Sequence, residues 1–198
     1  MTNILAIETS SVHCSIGIGK NKELYIEHSQ EKNSHGKEIF GFIDKLLKKA
    51  QLKKEEIDFI ALSIGPGSFT GLRVGCSVAQ GLAFGLEKKI LPLSSLMILA
   101  QNGFLENEIK ELYIVKEAHM NDLYIGHFTR STNDLALPMM ADLAIKKTEV
   151  EKFISVDCRQ PICSDCNEFL DYLTDPSFLE TKNHVAGLLH LANSLDDV

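Results

Sequence analysis

The residues best suited to chemistry or close contact lie at positions 63–75, SIGPGSFTGLRVG. Gly65 and Gly67 bracket Pro66, so the backbone must turn tightly there. Ser68 or Thr70 then offers a hydroxyl oxygen to cap a following helix. A helix start presents unpaired N–H groups and partial positive charge. Such a turn is an anion or phosphate cradle, or else a backbone contact surface, and both readings stay open. It is neither a P-loop nor a dinucleotide fingerprint, because both glycine spacings fail. A second polar turn, Glu8-Thr9-Ser10, follows the apolar run Ile4-Leu5-Ala6-Ile7. Thr9, Ser10, Ser68 and Thr70 can serve phosphate or cap the chain, capping being the commoner role. Arg73 either meets a phosphate or pairs with Glu8 and holds the two turns together.

The thiols carry less. Cys14, Cys76, Cys158, Cys163 and Cys166 are odd in number, against a disulfide framework. Cys158, Cys163 and Cys166 would need a fourth ligand, such as His184 or His190, to hold zinc. Their C-x4-C-x2-C spacing is not that of a standard finger, and no metal site is read from it.

These residues need elements to position them. Strands are expected at 3–8, 14–19 and 24–28, with Asn21-Lys22 as a hairpin turn, giving an antiparallel meander. A helix capped by Ser34 runs to about residue 50, with Ile39, Phe40, Ile43, Leu46, Leu47 and Ala50 at helical spacing. A strand at 58–64 feeds the glycine turn and a helix over roughly 70–85. A strand near 90–91 and a helix from Ser94 or Ser95 to about residue 102 follow. Further on, strands are expected at 112–117, 123–128, 143–146, 154–156 and 161–163, and helices at 167–172 and 183–195. No internal repeat is evident. The order combines a meander with crossovers, which means mixed β-sheets flanked by helices, an α/β fold. The boundary is placed near 103–110, giving lobes 1–103 and 104–198.

The net charge is −7. A chain that grips nucleic acid alone usually carries a basic surface, so direct binding is not expected. Lys45, Lys48, Lys49, Lys53 and Lys54 cluster at a helix end and read as a solvated face. No apolar run approaches the ~18 residues of a membrane span, and no basic region with a long apolar core precedes residue 4. The expectation is a cytoplasmic protein.

Three stretches resemble the TsaB (YeaZ) family, ASKHA-fold proteins related to TsaD. They are Ile4–Ser10, the 63–75 motif, and Glu117-Ala118-His119-Met120-Asn121-Asp122-Leu123-Tyr124, where His119 replaces the family's usual arginine. The resemblance implies an actin-like, ribonuclease H-like fold of two lobes, the second reduced. It implies a non-catalytic partner subunit of TsaD, needed for threonylcarbamoyl transfer to the adenosine beside the anticodon of ANN-decoding tRNAs. A TsaE-like ATPase would be met through the complex and tRNA only indirectly, with a homodimer when the chain is alone. No cofactor is expected to bind independently; a nucleotide at the TsaD interface is left open.

The residues fit a loss of catalysis. TsaD holds metal with an H-x-x-x-H pair, but no two of the seven histidines here are four apart. His35 is followed at position 39 by Ile39. No Gly-Gly supplies an adenosine loop. Glu8 stands where ATP-using relatives keep an aspartate, and its extra methylene is expected to push the carboxylate into the site. The alternative is a metal-dependent glycoprotease-like or ATP-using ASKHA enzyme. The resemblance makes the two N-lobe helices the partner surface, through His35, Ile39, Ile43, Leu46, Gly71, Val74, Gly75, Val78, Gly81 and Leu82. The competing reading is that these stripes face their own sheet.

Overall fold

The computed structural model describes residues 2–31, 35–118, 121–154, 160–164, 170, 178–181 and 184–195. The chain forms two units, residues 1–95 with 184–198, and residues 96–183.

The first unit opens with β1 (Ile4–Glu8), β2 (Ser15–Lys20) and β3 (Glu23–His28). They pair as an antiparallel meander. Its hairpin turn is Asn21-Lys22, both at positive φ, 52° and 70°, which matches the twist of the strands it joins. α1 (His35–Ala50) crosses to β4 (Phe59–Ser63), and α2 (Phe69–Leu86) crosses to β5 (Lys89–Leu93). β4 and β5 are parallel to β1, in the order β3-β2-β1-β4-β5. β1 and β4 are buried along their full length, as central strands covered on both faces must be.

Strand periodicity divides the two faces. Ile16 and Ile18 join the core with Ile39, Ile43 and Leu46 of α1. Gly17 and Gly19 point the other way, onto α5 (His184–Leu195). A Cβ at Gly17 would lie 2.7 Å from Leu189 Cδ1, so the missing side chain is what lets the helix sit against the strand. Val185, Leu188, Leu189, Leu191 and Ala192 are fully buried. The expected division at 103/104 therefore differs from the observed one. The first unit stops at residue 95 and regains 184–198, because α5 supplies the apolar face its sheet lacks.

The second unit runs through α3 (Ser95–Glu106), β6 (Glu111–Glu117), β7 (Asp122–Arg130), β8 (Ala136–Pro138), β9 (Leu143–Lys146), α4 (Val150–Phe153), β10 (Ile162–Ser164) and β11 (Phe178–Glu180). Its order is β11-β10-β6-β7-β8, with β9 sharing the outer edge of β7. The antiparallel strands lie to one side of β6 and the parallel strands to the other. The first sheet repeats this pattern around β1, although no repeat is visible in the residues. β8 and β11, each of three residues, were not expected from the sequence. Ile154 follows α4 rather than lying in a strand, since the turn closes onto Val150 through a backbone bond. Residues 155–156, Ser34, Asn183 and all but Leu170 of the helix expected at 167–172 lie outside the described residues. Among those described, no helix is long and apolar enough to cross a membrane.

Lysines do more here than face water. Lys45 and Lys49 both reach Glu27 on β3, at 2.7 and 2.5 Å, and tie α1 to the sheet edge. Hydrogen bonds from Lys45 and Lys49 hold the Glu27 carboxyl below its ordinary range. Lys20 donates to the Ala50 carbonyl at 2.7 Å, where α1 exposes unpaired acceptors.

Candidate functional site

The two polar turns meet. The turn after β4 contains a cis Gly65–Pro66 peptide, with Gly65 at φ 103°, a conformation few side chains tolerate. A Cβ at Gly67 would fall on the Ser10 carbonyl oxygen, so glycine allows the turns to touch. The Ser68 amide donates to that same oxygen at 2.7 Å. Ser68 also caps α2, its Oγ accepting from Gly71 N at 3.2 Å. The Ser95 amide donates to Gly65 O at 2.8 Å, and its hydroxyl donates to Pro66 O. The glycine turn is thereby tied to the first turn, to its own helix and to Ser95, the last residue of the first unit before α5 rejoins it. Thr70 lies exposed in the first turn of α2.

The Glu8 carboxylate departs from expectation. It is fully buried, and Oε1 accepts from Ser10 N at 2.5 Å. It folds back on its own turn rather than projecting into a site, because the Ser10 amide two residues on is within reach. Glu8 Oε2, Thr9 Oγ1 and Ser63 Oγ are buried without a hydrogen-bond partner among the described residues. Thr9 Oγ1 packs on Gly75, where a Cβ would fall on it. Arg73 does not meet Glu8. Its guanidinium carbon lies 3.3 Å over the Phe69 ring, one helical turn back on the same exposed face.

The helix faces need correction. Ile39, Ile43 and Leu46 are buried in the first unit's core, and Gly71 and Gly75 also face inward, with Ala79 and Ala83. Their small side chains let α2 approach the sheet closely. Val74, Val78 and Leu82 are half-buried, and Gly81 is exposed, with open space where a Cβ would stand. His35 opens α1, but its side chain is not among those described. A shallow groove of about 320 Å³ runs between the helices. Gly36, Phe40, Arg73, Val74, Ser77 and Val78 line it, and the buried Ile39 closes its floor. Phe40 is 57% exposed and Phe84 89% exposed. Neither was among the contact residues expected from the sequence. Arg73, Ser77, Gly81 and Phe84 follow helical spacing, the signal that identifies the outer face.

Elsewhere, burial, and after it the charges of Glu38 and Glu8, push the Cys14 thiol up to about 12. Cys163 is buried in the second unit. Cys158, Cys166, His119 and Met120 lie outside the described residues, so the CxxC and the hairpin tip are not placed.

A family model described as TsaD, tRNA N6-adenosine threonylcarbamoyltransferase, matches residues 26–192. The chain is 32% identical over 148 residues to the tRNA threonylcarbamoyladenosine biosynthesis protein TsaB of Buchnera aphidicola subsp. Schizaphis graminum, covering 75% of this chain and 70% of that one. Among solved structures it is similar to YeaZ from Pseudomonas aeruginosa, with a TM-score of 0.90, 24% identity, and coverage of 100% of this chain and 93% of that one. A Bacteroides thetaiotaomicron protein with an actin-like ATPase fold gives a TM-score of 0.50 at 9% identity over 96% of each chain. Motif, fold and these likenesses agree: the chain belongs to the TsaB (YeaZ) family, within the wider TsaD family.

Proposed function

We propose that this protein is the non-catalytic partner subunit of a TsaD-type enzyme in tRNA threonylcarbamoyladenosine biosynthesis. The observation that carries the reading is the outer face of α1 and α2. Phe40 and Phe84 stand in water there, and the groove between the helices is walled mainly by apolar side chains. An exposed apolar face of this kind marks a contact surface. With the inward stripe committed to the sheet, the partner meets Phe40, Val74, Val78, Gly81, Leu82 and Phe84. The same face gives a C2 homodimer when the partner is absent.

Loss of catalysis is supported by residue type. The chain has no H-x-x-x-H pair and no Gly-Gly. Several amides of the two turns are bonded within the chain, which favours a structural clasp over a phosphate cradle. Any nucleotide is then held jointly with TsaD. The setting is cytoplasmic, tRNA is reached through the cationic partner, and a TsaE-like ATPase joins through the complex. The reading as an independent metal-dependent or ATP-using enzyme is not favoured.

Light scattering behind size exclusion, with the organism's TsaD-type protein, tests this. A 1:1 complex that Val78→Arg abolishes supports the reading. No complex at micromolar concentration, with or without ATP and Mg²⁺, overturns it.

A further inference from the structure

We propose that Arg73 orients the partner by pairing with a carboxylate on the TsaD-type subunit, an inference that rests on the subunit reading above. Arg73 is exposed at the groove, and its guanidinium lies over the Phe69 ring. A cation held on an aromatic face has less freedom to lose when it binds. Among the described residues it makes no ion pair or hydrogen bond. Its planar fork suits a carboxylate, which it can grip with two parallel bonds.

The surroundings favour a protein acid over other anions. Among the described residues that line the groove, Arg73 is the only charged one, beside Phe40, Val74 and Val78. A nucleic-acid backbone is bound by cations in number, and the described lining of this groove offers one, on a chain of net charge −7. A nucleotide phosphate would draw on the amides of the adjoining turns. Those of Ser10 and Ser68 are already bonded to Glu8 and to the Ser10 carbonyl. What remains is an apolar slot beside one oriented guanidinium. That combination takes an apolar side chain with an acid next to it, the pattern of an anchored protein contact.

Calorimetric titration of the TsaD-type subunit into wild type, Arg73→Gln, Arg73→Lys and Val78→Arg, at low and high salt, decides it. Arg73→Gln is expected to weaken binding about tenfold or more, the loss of a charge-assisted hydrogen-bonded pair, and to flatten the salt dependence. Arg73→Lys keeps the charge but not the fork, and should recover only part of the loss. Thermal melts of the Arg73 variants should match wild type, because the side chain is exposed. If Val78→Arg abolishes binding and Arg73→Gln binds as wild type does, the face is the interface and the carboxylate pairing is wrong. If Val78→Arg also binds normally, the subunit reading loses this face and the inference falls with it. An Arg73→Gln protein that assembles normally but lowers the tRNA affinity of the complex would assign the cation to RNA instead.

Discussion

The carbonyl oxygen of Ser10 occupies the space a side chain on Gly67 would need, and the Ser68 amide is bonded to the same oxygen. The contact joins β1 to the start of α2. No rotamer change can relieve a clash there, because the obstacle is backbone. Gly67→Ala should therefore separate the turns and cost at least ~2 kcal/mol. Urea unfolding of both proteins measures it; equal midpoints would contradict the close approach.

Gly17 and Leu189 make a second contact of this kind. Gly17→Val would drive a side chain into Leu189 and Val185 and lift α5 from the sheet. Leu189→Ala removes the same contact from the helix side and should cost about 2–5 kcal/mol, as buried leucine truncations do. Amide hydrogen exchange should show lost protection in α5 and in β1 and β2 for Gly17→Val. Loss confined to α5 would mean the first sheet is stable without it.

The Glu27 contacts predict a pH dependence. The Glu27 carboxyl is held below its ordinary value of 4.5 in the folded protein, chiefly by hydrogen bonds from Lys45 and then Lys49. A carboxyl with a lowered folded pKa stabilises fully above its unfolded pKa, and that stabilisation disappears as pH falls through the folded value. Glu27→Gln should be less stable than wild type at neutral pH by no more than about 1 kcal/mol, the range of exposed ion pairs. The difference should close in acid. A gap that persists undiminished below the carboxylate range would assign the effect to packing.

The turns were the most legible part of the sequence. Asn21-Lys22 and the 63–75 glycine motif depend on local backbone chemistry, which residue type reveals directly. Burial on α1 was not legible. Ile39, Phe40 and Ile43 all belong to its apolar surface, and helical spacing does not say which stripe meets the sheet. Isoleucine at 39 and 43 went inward and phenylalanine at 40 outward. β8 and β11 are three residues each, too short for a period-two pattern to stand out. The placement of α5 depends on a surface more than a hundred residues earlier in the chain, the pair Gly17 and Gly19, and no window of neighbours contains that relation.

That placement has a consequence for synthesis. The ribosome makes every strand of the first sheet by residue 93, yet the helix that covers its second face comes only at residue 184. At ordinary elongation rates the interval is roughly 5–20 s. Throughout it, the strip around Gly17 and Gly19 is an open apolar surface while the second unit is being made. A chain stalled before residue 184 is thus a natural client for chaperones and a ready target for quality control, even with α1 and α2 already formed.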